Sequence, residues 1–246
     1  MILEGGAAVI PGGNYESLEG ARRYRTPISR RMGARDISQT LSLYLPGHAP
    51  ARRNPVAEEV LYVVRGSGAC FINGFHYELS PGTACFVPPG SICQIETDAK
   101  SELEIVSVRC PEDDSEIVTE SLERPEGITK PILTIQESAR KSTPVGDRRF
   151  KLLAGQDLGA ERVTQFIGVI PPGRAPVHHH TYEEAIYIIE GEGRLWAGGE
   201  GARFVAGSSI YLPRGVSHSL ENTGQSNIKL LGVFHPSGSP AASYDD

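Results

Sequence analysis

The stretch VHHHTYEEAIYIIEG, Val177 to Gly191, is answered downstream by GSSIYLPRGVSHSLEN, Gly207 to Asn222. The first supplies His178, His180 and Glu184, and the second supplies His218. Three imidazoles and one carboxylate on two nearby β-type segments suit a first-row divalent metal. Side chains two apart on a strand share a face, so His178 and His180 point together while His179 points away. The chain then turns at Thr181 and Tyr182, and Glu184 opens the next apolar run. The expectation is a metal site held inside a small β-barrel.

The surrounding sequence has the same character. ISQTLSLYLPG, EEVLYVVRGSGACFING, FHYELSPGTACFVPPGS and LEIVSVRCPED are short runs rich in Val, Ile, Leu, Tyr and Phe, punctuated by Gly and Pro. Such runs are the signature of an all-β sandwich or barrel. The counts of 28 Gly and 18 Pro fit many strands joined by tight turns. Residues 1 to 25 read as an extended arm or edge strand. Residues 111 to 131 are acidic and flanked by Pro, and read as a connector. A second set of strands is expected from Ile132 to Phe234, followed by the small polar tail PSGSPAASYDD, expected to be disordered.

The two halves are repeats. Glu59 pairs with Glu184, Gly66 with Gly191, Gly82 with Gly207, Pro88 with Pro213 and Gly90 with Gly215, each 125 residues apart (184−59, 191−66, 207−82, 213−88, 215−90). So many glycines and prolines in one register mark two copies of one β unit. The division expected is 1–112 for the first barrel, 113–131 for the connector and 132–246 for the second barrel.

Composition narrows the function classes. A formal net charge of −6 with no basic cluster argues against nucleic acid and anionic membranes as partners. No apolar run approaches the roughly 20 residues that span a bilayer. The start, MILEGGAAVIPGGN, lacks the pattern of a signal peptide, so a cytoplasmic location is expected. Cys70, Cys85, Cys93 and Cys110 form no Cys-x-x-Cys pair and read as reduced, buried thiols.

Both halves resemble cupins. The second half matches both cupin motifs: His178, His180, Glu184 and Gly191 for the first, and Gly207, Pro213, Gly215, His218 and Asn222 for the second. The motif spacing selects Glu184 over Glu183 as the ligand. The resemblance implies an all-β chain of two tandem cupin (double-stranded β-helix, jelly-roll) barrels. At the offset of 125, His178 corresponds to Arg53, His180 to Pro55 and His218 to Cys93, and only Glu59 survives. Neither Arg nor Pro has a lone pair to give a metal, so the first barrel is expected to hold none. Glu59 is expected to pair with Arg53 or to hydrogen-bond within the barrel.

Three neutral imidazoles and one carboxylate leave room for two further positions on a six-coordinate ion. Mn²⁺, Fe²⁺ and Ni²⁺ all fit, and Mn²⁺ is favoured only through the second family resemblance given below. Gln165, Lys229 and Tyr211 are candidate substrate contacts, and His179 and Glu183 are assigned no catalytic work. In layout the chain resembles the (S)-ureidoglycine aminohydrolase-like (glyoxylate-induced) bicupins, with EEVLYVVRG and FVPPGS in the first barrel and YIIEGEG in the second. That resemblance implies a metal-dependent enzyme releasing ammonia from a small polar substrate in purine (allantoin) catabolism. The set of three His and one Glu also resembles cupin dioxygenases using Fe, Ni or Cu. A third alternative is a non-catalytic cupin that binds a small molecule. A homo-oligomer is compatible with all three.

Overall fold

The computed structural model describes residues 1–98, 101–119 and 127–241. Among them the ordered elements are strands and four single-turn 3-10 helices. No helix is long and apolar enough to cross a membrane. The strands form two barrels of the same plan. In the first, Ser38–Tyr44, Glu58–Arg65, Thr83–Val87 and Leu103–Cys110 make up most of one sheet, and Gly68–Ile72, Phe75–Leu79 and Ile92–Thr97 lie in the other. The second barrel repeats this with Thr164–Ile170, Glu183–Glu190, Ser209–Leu212 and Ile228–His235 against Glu192–Ala197, Glu200–Val205 and His218–Asn222. Both final strands lead into cis prolyl bonds, Cys110–Pro111 and His235–Pro236.

Period-2 burial places every side chain on these strands. On Glu183–Glu190, Ile186 and Ile188 face the core of their own barrel, with Phe204, Leu212 and Phe234. Ala185 and Tyr187 face the other barrel instead. The two large sheets thus pack face to face through Leu41, Tyr62, Val106, Ile167, Tyr187 and Leu231. A strand buried on both faces reads as a continuous apolar run, which is why EEAIYIIE shows no simple alternation.

The division expected at residues 112 and 132 is crossed twice. The amino-terminal strand Ala8–Ile10 pairs with the second barrel, Ala8 opposite Tyr211 and Ile10 opposite Ser209. Reciprocally, Thr134–Gln136 pairs with the first barrel, Thr134 opposite Cys85 and Gln136 opposite Thr83. Each half lends one edge strand to the other. The connector also contains a strand, Ile117–Thr119, paired with Ala51–Arg53 of the first barrel. Residues 120–126 of the connector and 242–246 of the tail lie outside the described residues.

A second exchange reinforces the first. Glu183 is buried at 2 % exposure, and its carboxylate accepts the backbone N–H groups of Arg35 (2.7 Å) and Asp36 (2.9 Å) from the first half. The Tyr211 hydroxyl donates to it at 2.6 Å. Glu58, its counterpart 125 residues earlier, accepts the N–H groups of Glu161 (3.1 Å) and Arg162 (2.9 Å) from the second half. Each carboxylate satisfies two backbone donors just past a 3-10 turn of the other half. Removing one breaks two charge-assisted hydrogen bonds to partly buried donors, a loss of about 1–3 kcal/mol. Glu58→Ala should therefore lower the unfolding free energy by that amount in urea titrations. Glu183→Ala should cost more, because the Tyr211 hydroxyl loses its shorter acceptor and keeps only the Gly33 carbonyl at 3.3 Å. Unchanged midpoints for both would show that the carboxylates do not join the halves.

Candidate metal centre

His178 and His218 face each other across one antiparallel bridge, with N–H to O distances of 3.0 and 2.8 Å in the two directions. His180 follows two residues later, and the carbonyl of His180 accepts the Gly215 N–H at 2.7 Å. The side chains of His178, His180 and His218 converge, with one ring nitrogen of each within 4.8 Å of the others. His179 is exposed, as strand parity requires.

The hydrogen bonds set the tautomers. His178 Nδ1 lies 3.0 Å from the Pro176 carbonyl and His218 Nδ1 lies 2.8 Å from the Val216 carbonyl. A carbonyl only accepts, so each Nδ1 carries the proton and each Nε2 keeps its lone pair. Burial, reinforced by the neighbouring His180, pushes the His218 pKa down to about 3. His178 is lowered too, chiefly by burial. Both imidazoles are neutral at physiological pH, the form that could ligate a metal.

Glu184 lies against one member of the set, His180. Its Oε2 lies 3.1 Å from His180 Nδ1, both are buried, and His180 Nδ1 makes no hydrogen bond. Two donor atoms each about 2.1 Å from one ion and at right angles around it stand about 3 Å apart. A buried carboxylate beside an orphaned imidazole nitrogen and two Nε2 lone pairs fits a divalent cation. Tyr182 stacks on the His180 ring at 4.4 Å and on Phe234 at 4.2 Å, which holds the imidazole in place. The position of Gly232 must stay bare: a Cβ there would collide with the Phe166 ring and lie 2.9 Å from Glu184 Oε1.

Above these side chains the barrel opens into a cavity of about 90 Å³, walled by Phe150, Phe166, Ile170, Leu212, Leu220 and Leu230. Arg148 also reaches it. The three residues expected as substrate contacts do not line this cavity. The Tyr211 hydroxyl is committed to Glu183. Lys229 Nζ lies 2.8 Å from Glu137 Oε2. Gln165 alternates with Phe166, so it faces the first barrel, where its counterpart Gln39 accepts the Ser209 hydroxyl at 2.5 Å. On all three strands the parity is opposite to that of Phe166, Leu212 and Leu230, which line the cavity. Phe166, Tyr182, Gly232 and Arg148 are the contributors that reading the sequence missed. Only their positions one and two strands away in the barrel reveal them.

The same place in the first barrel is closed by charge. Arg52 Nη1 and Nη2 lie 2.6 and 3.1 Å from the two Glu59 oxygens. Arg109 Nε adds a contact at 3.4 Å, and Glu116 pairs with both arginines. The expected partner, Arg53, is exposed. The reason is register. Arg52 sits opposite Cys93, as His178 sits opposite His218, so the offset here is 126 (178−52) rather than 125. The first barrel has one extra residue between Asn54, the counterpart of His180, and Glu58. Arg52, not Arg53, therefore occupies the place of the first ligand.

Burial by itself raises the Glu59 pKa, but Arg109 and Arg52 outweigh it and hold the carboxyl far below the usual range. A depressed carboxylate pKa contributes stability that is present above the unfolded value, near pH 4.3, and is lost as pH falls toward the folded one. Glu59→Gln should be less stable at neutral pH by about 3 kcal/mol, because the buried Arg52 and the partly buried Arg109 are left with Glu116 as their carboxylate. It should also lack this part of the wild-type loss below about pH 4. Denaturation at a series of pH values from 7 to 3 checks both, and parallel curves for the two proteins would count against the ion network. His178→Ala and His218→Ala should each lower divalent-metal affinity by at least about tenfold in titration calorimetry, with the fold retained.

Comparison with known proteins agrees with this geometry. Residues 166–234 match the Cupin domain, and residues 41–153 match the AraC-like ligand binding domain. A stretch of 67 residues is 38% identical to an oxalate-binding protein of Thermotoga maritima, covering 26% of this chain and 55% of that protein. Over 70 residues the chain is 34% identical to an uncharacterised protein of Methanocaldococcus jannaschii, covering 28% of this chain and 56% of that one. The chain thus spans little more than half the length of these curated relatives. Among solved structures, a single-residue mutant of Bacillus subtilis oxalate decarboxylase superposes with a TM-score of 0.77 over 96% of this chain and 79% of that one, at 16% identity. Another structure of the same enzyme, described for its Mn(II) centres, superposes with a TM-score of 0.75 over the same shares at the same identity. The chain carries a cupin domain in its second half and folds as a whole as a double cupin.

Proposed function

We propose that the chain is a metal-dependent enzyme whose second barrel alone carries the reaction, on a small organic substrate. The observation that carries this reading is the convergence of His178, His180 and His218 at the base of an apolar cavity, with Glu184 against His180. A single divalent ion, Mn²⁺ favoured, would be held by these four residues. Such an ion supplies Lewis-acid polarisation and positions for substrate oxygens. The fold's likeness to an enzyme with Mn(II) centres, and a relative named for binding oxalate, support an oxygen-rich ligand at this place.

The protein's own residues do the rest. His178 and His218 are fixed by the Pro176 and Val216 carbonyls, so the ligand geometry is prepared before the metal arrives. The phenylalanine and leucine walls exclude water and favour a substrate with an apolar body. Among the described residues that line the cavity, the side chains able to take up a proton are the ligands themselves. That lining favours oxygen-dependent cleavage of an enolic or aromatic compound, in which substrate coordination replaces a separate protein base.

The ureidoglycine aminohydrolase-like reading, release of ammonia from a small polar substrate, is second. What supports it is the layout, with one metal-competent barrel and one barrel closed by the Arg52–Glu59 pair. Elemental analysis of protein purified without added metal, followed by oxygen-uptake and ammonia-release assays, separates the two. We expect close to one divalent ion per chain and oxygen consumption with an enolic acid. Ammonia release from ureidoglycine without oxygen uptake would reverse the order. Protein that takes up no metal under any condition would overturn the proposal.

A further inference from the structure

The chain leaves each barrel by the same route. The last strands, Leu103–Cys110 and Ile228–His235, stand 125 residues apart (228−103, 235−110), so residues 111–116 correspond to residues 236–241. Both segments first run along the turn that precedes the opening strand of their barrel. The Glu112 N–H donates to the Asp36 carbonyl at 2.9 Å. At the equivalent position, the Ser237 hydroxyl donates to the Glu161 carbonyl at 2.6 Å. In the first barrel the segment then turns inward. Glu116 pairs with Arg52 and Arg109 beside Glu59, and Ile117–Thr119 pairs with Ala51–Arg53. The first barrel is closed by its own exit segment, and charge locks it shut.

The second barrel keeps the segment and has lost that lock. Ala241 stands at the place of Glu116 (241−116), Phe234 at the place of Arg109 (234−109) and His178 at the place of Arg52. Ala241 has no charge to bring, so the ion pairs of the first barrel cannot form here. Neutral hydrogen bonds to Thr164 stand in their stead. Its hydroxyl donates to the Gly238 carbonyl at 3.1 Å and accepts the Gly238 N–H at 3.0 Å. Pro236, Gly238 and Ser239 are exposed, yet the half-buried Pro240 lines the same cavity as His178, His180 and His218. A half-buried residue of an exposed segment that also walls a cavity stands between that cavity and solvent.

We propose that residues 236–241 are a strap over the cavity of the second barrel, which opens by releasing Gly238 from Thr164 and Ser237 from Glu161. Shut, the strap supplies the Pro240 wall and keeps water from the histidines. Released, it uncovers the route to them. Segments held at an exposed surface by neutral hydrogen bonds open at low free energy, and covers of this kind commonly gate entry to a site. The duplication supplies the contrast: one exit segment is fixed by Glu116, and its copy is latched by a hydroxyl. The inference rests on the reading above only in taking this cavity as the place where a ligand enters.

The test follows access to the site in the full chain. Diethyl pyrocarbonate acylates neutral imidazole nitrogens, and peptide mass spectrometry reads each histidine separately. When opening and closing outpace acylation, the rate at the buried His218 follows the open population. In metal-free protein that rate should rise about threefold in Ser237→Ala, which loses one hydrogen bond, and about tenfold in Thr164→Val, which loses both bonds to Gly238. The exposed His48 and His76 serve as internal controls and should react at unchanged rates. Mn²⁺ is the second probe, its loss to excess EDTA followed by paramagnetic resonance. Release should speed by the same factors while affinity changes less than about twofold, because a gate alters entry and exit alike. Unchanged His218 rates in both variants, or Mn²⁺ affinity that falls without faster exchange, would overturn the strap and leave the metal reading intact. Faster His218 acylation in a chain that takes up no Mn²⁺ would support the strap and overturn the metal reading.

Discussion

A carboxylate lies buried in the core of each barrel, and a buried carboxylate requires positive charge beside it. Glu59 and Glu184 occupy equivalent positions, both nearly inaccessible to solvent. The first barrel meets the requirement from within, with Arg52 and Arg109 on the two oxygens of Glu59. The second barrel has replaced both cations. His178 stands at the place of Arg52, and Phe234 at the place of Arg109. Beside Glu184 stands His180, with His178 and His218 held neutral by burial and by carbonyl hydrogen bonds. Neutral imidazoles do not compensate a carboxylate, whereas a cation bound at this place would. One duplicated fold thus buries the same carboxylate twice and surrounds it in two different ways.

The pairing of the barrels makes the two solutions part of one object. Each half supplies an edge strand to the other, and each supplies a carboxylate, Glu58 or Glu183, that satisfies two backbone donors of the other. The large sheets pack on their outward faces, so Tyr187 and Leu231 are buried between the barrels while Glu184 is buried inside one. Neighbouring residues on one strand therefore serve different purposes. Glu183 joins the halves, and Glu184 addresses the site. The first barrel contributes none of the three converging histidines, but it holds the strand that carries Glu184.

Much of the site was legible along the chain because its determinants are local. Strand parity separates His178 and His180 from His179, and the spacing of two motifs picks out Glu184 and His218. The repeat was legible from glycines and prolines, which mark turns wherever the fold places them. Less legible was anything set by a change of register. A constant offset of 125 identifies Arg53 as the counterpart of His178, whereas the ladder pairs Arg52 with Cys93 and His178 with His218. One residue of extra length in a turn is invisible to spacing across the rest of the repeat, yet it decides which arginine enters the barrel. Gln165, Lys229 and Tyr211 lie outside the cavity for a related reason. Each is polar and near the motifs, but its strand parity directs it to the other barrel.

The sequence alone determined the all-β class, the duplication, the three histidines that converge in the second barrel and the loss of the histidines from the first, because those depend on residue type and short spacing. The tertiary structure decided the rest: the crossed strands, the joining role of Glu183, the choice of Arg52 for Glu59, and the position of Arg148 above the ligands. These depend on which sheet edges meet and which face of a strand is turned inward. Such choices are made by packing two extended surfaces against each other, and no short segment carries the information by itself.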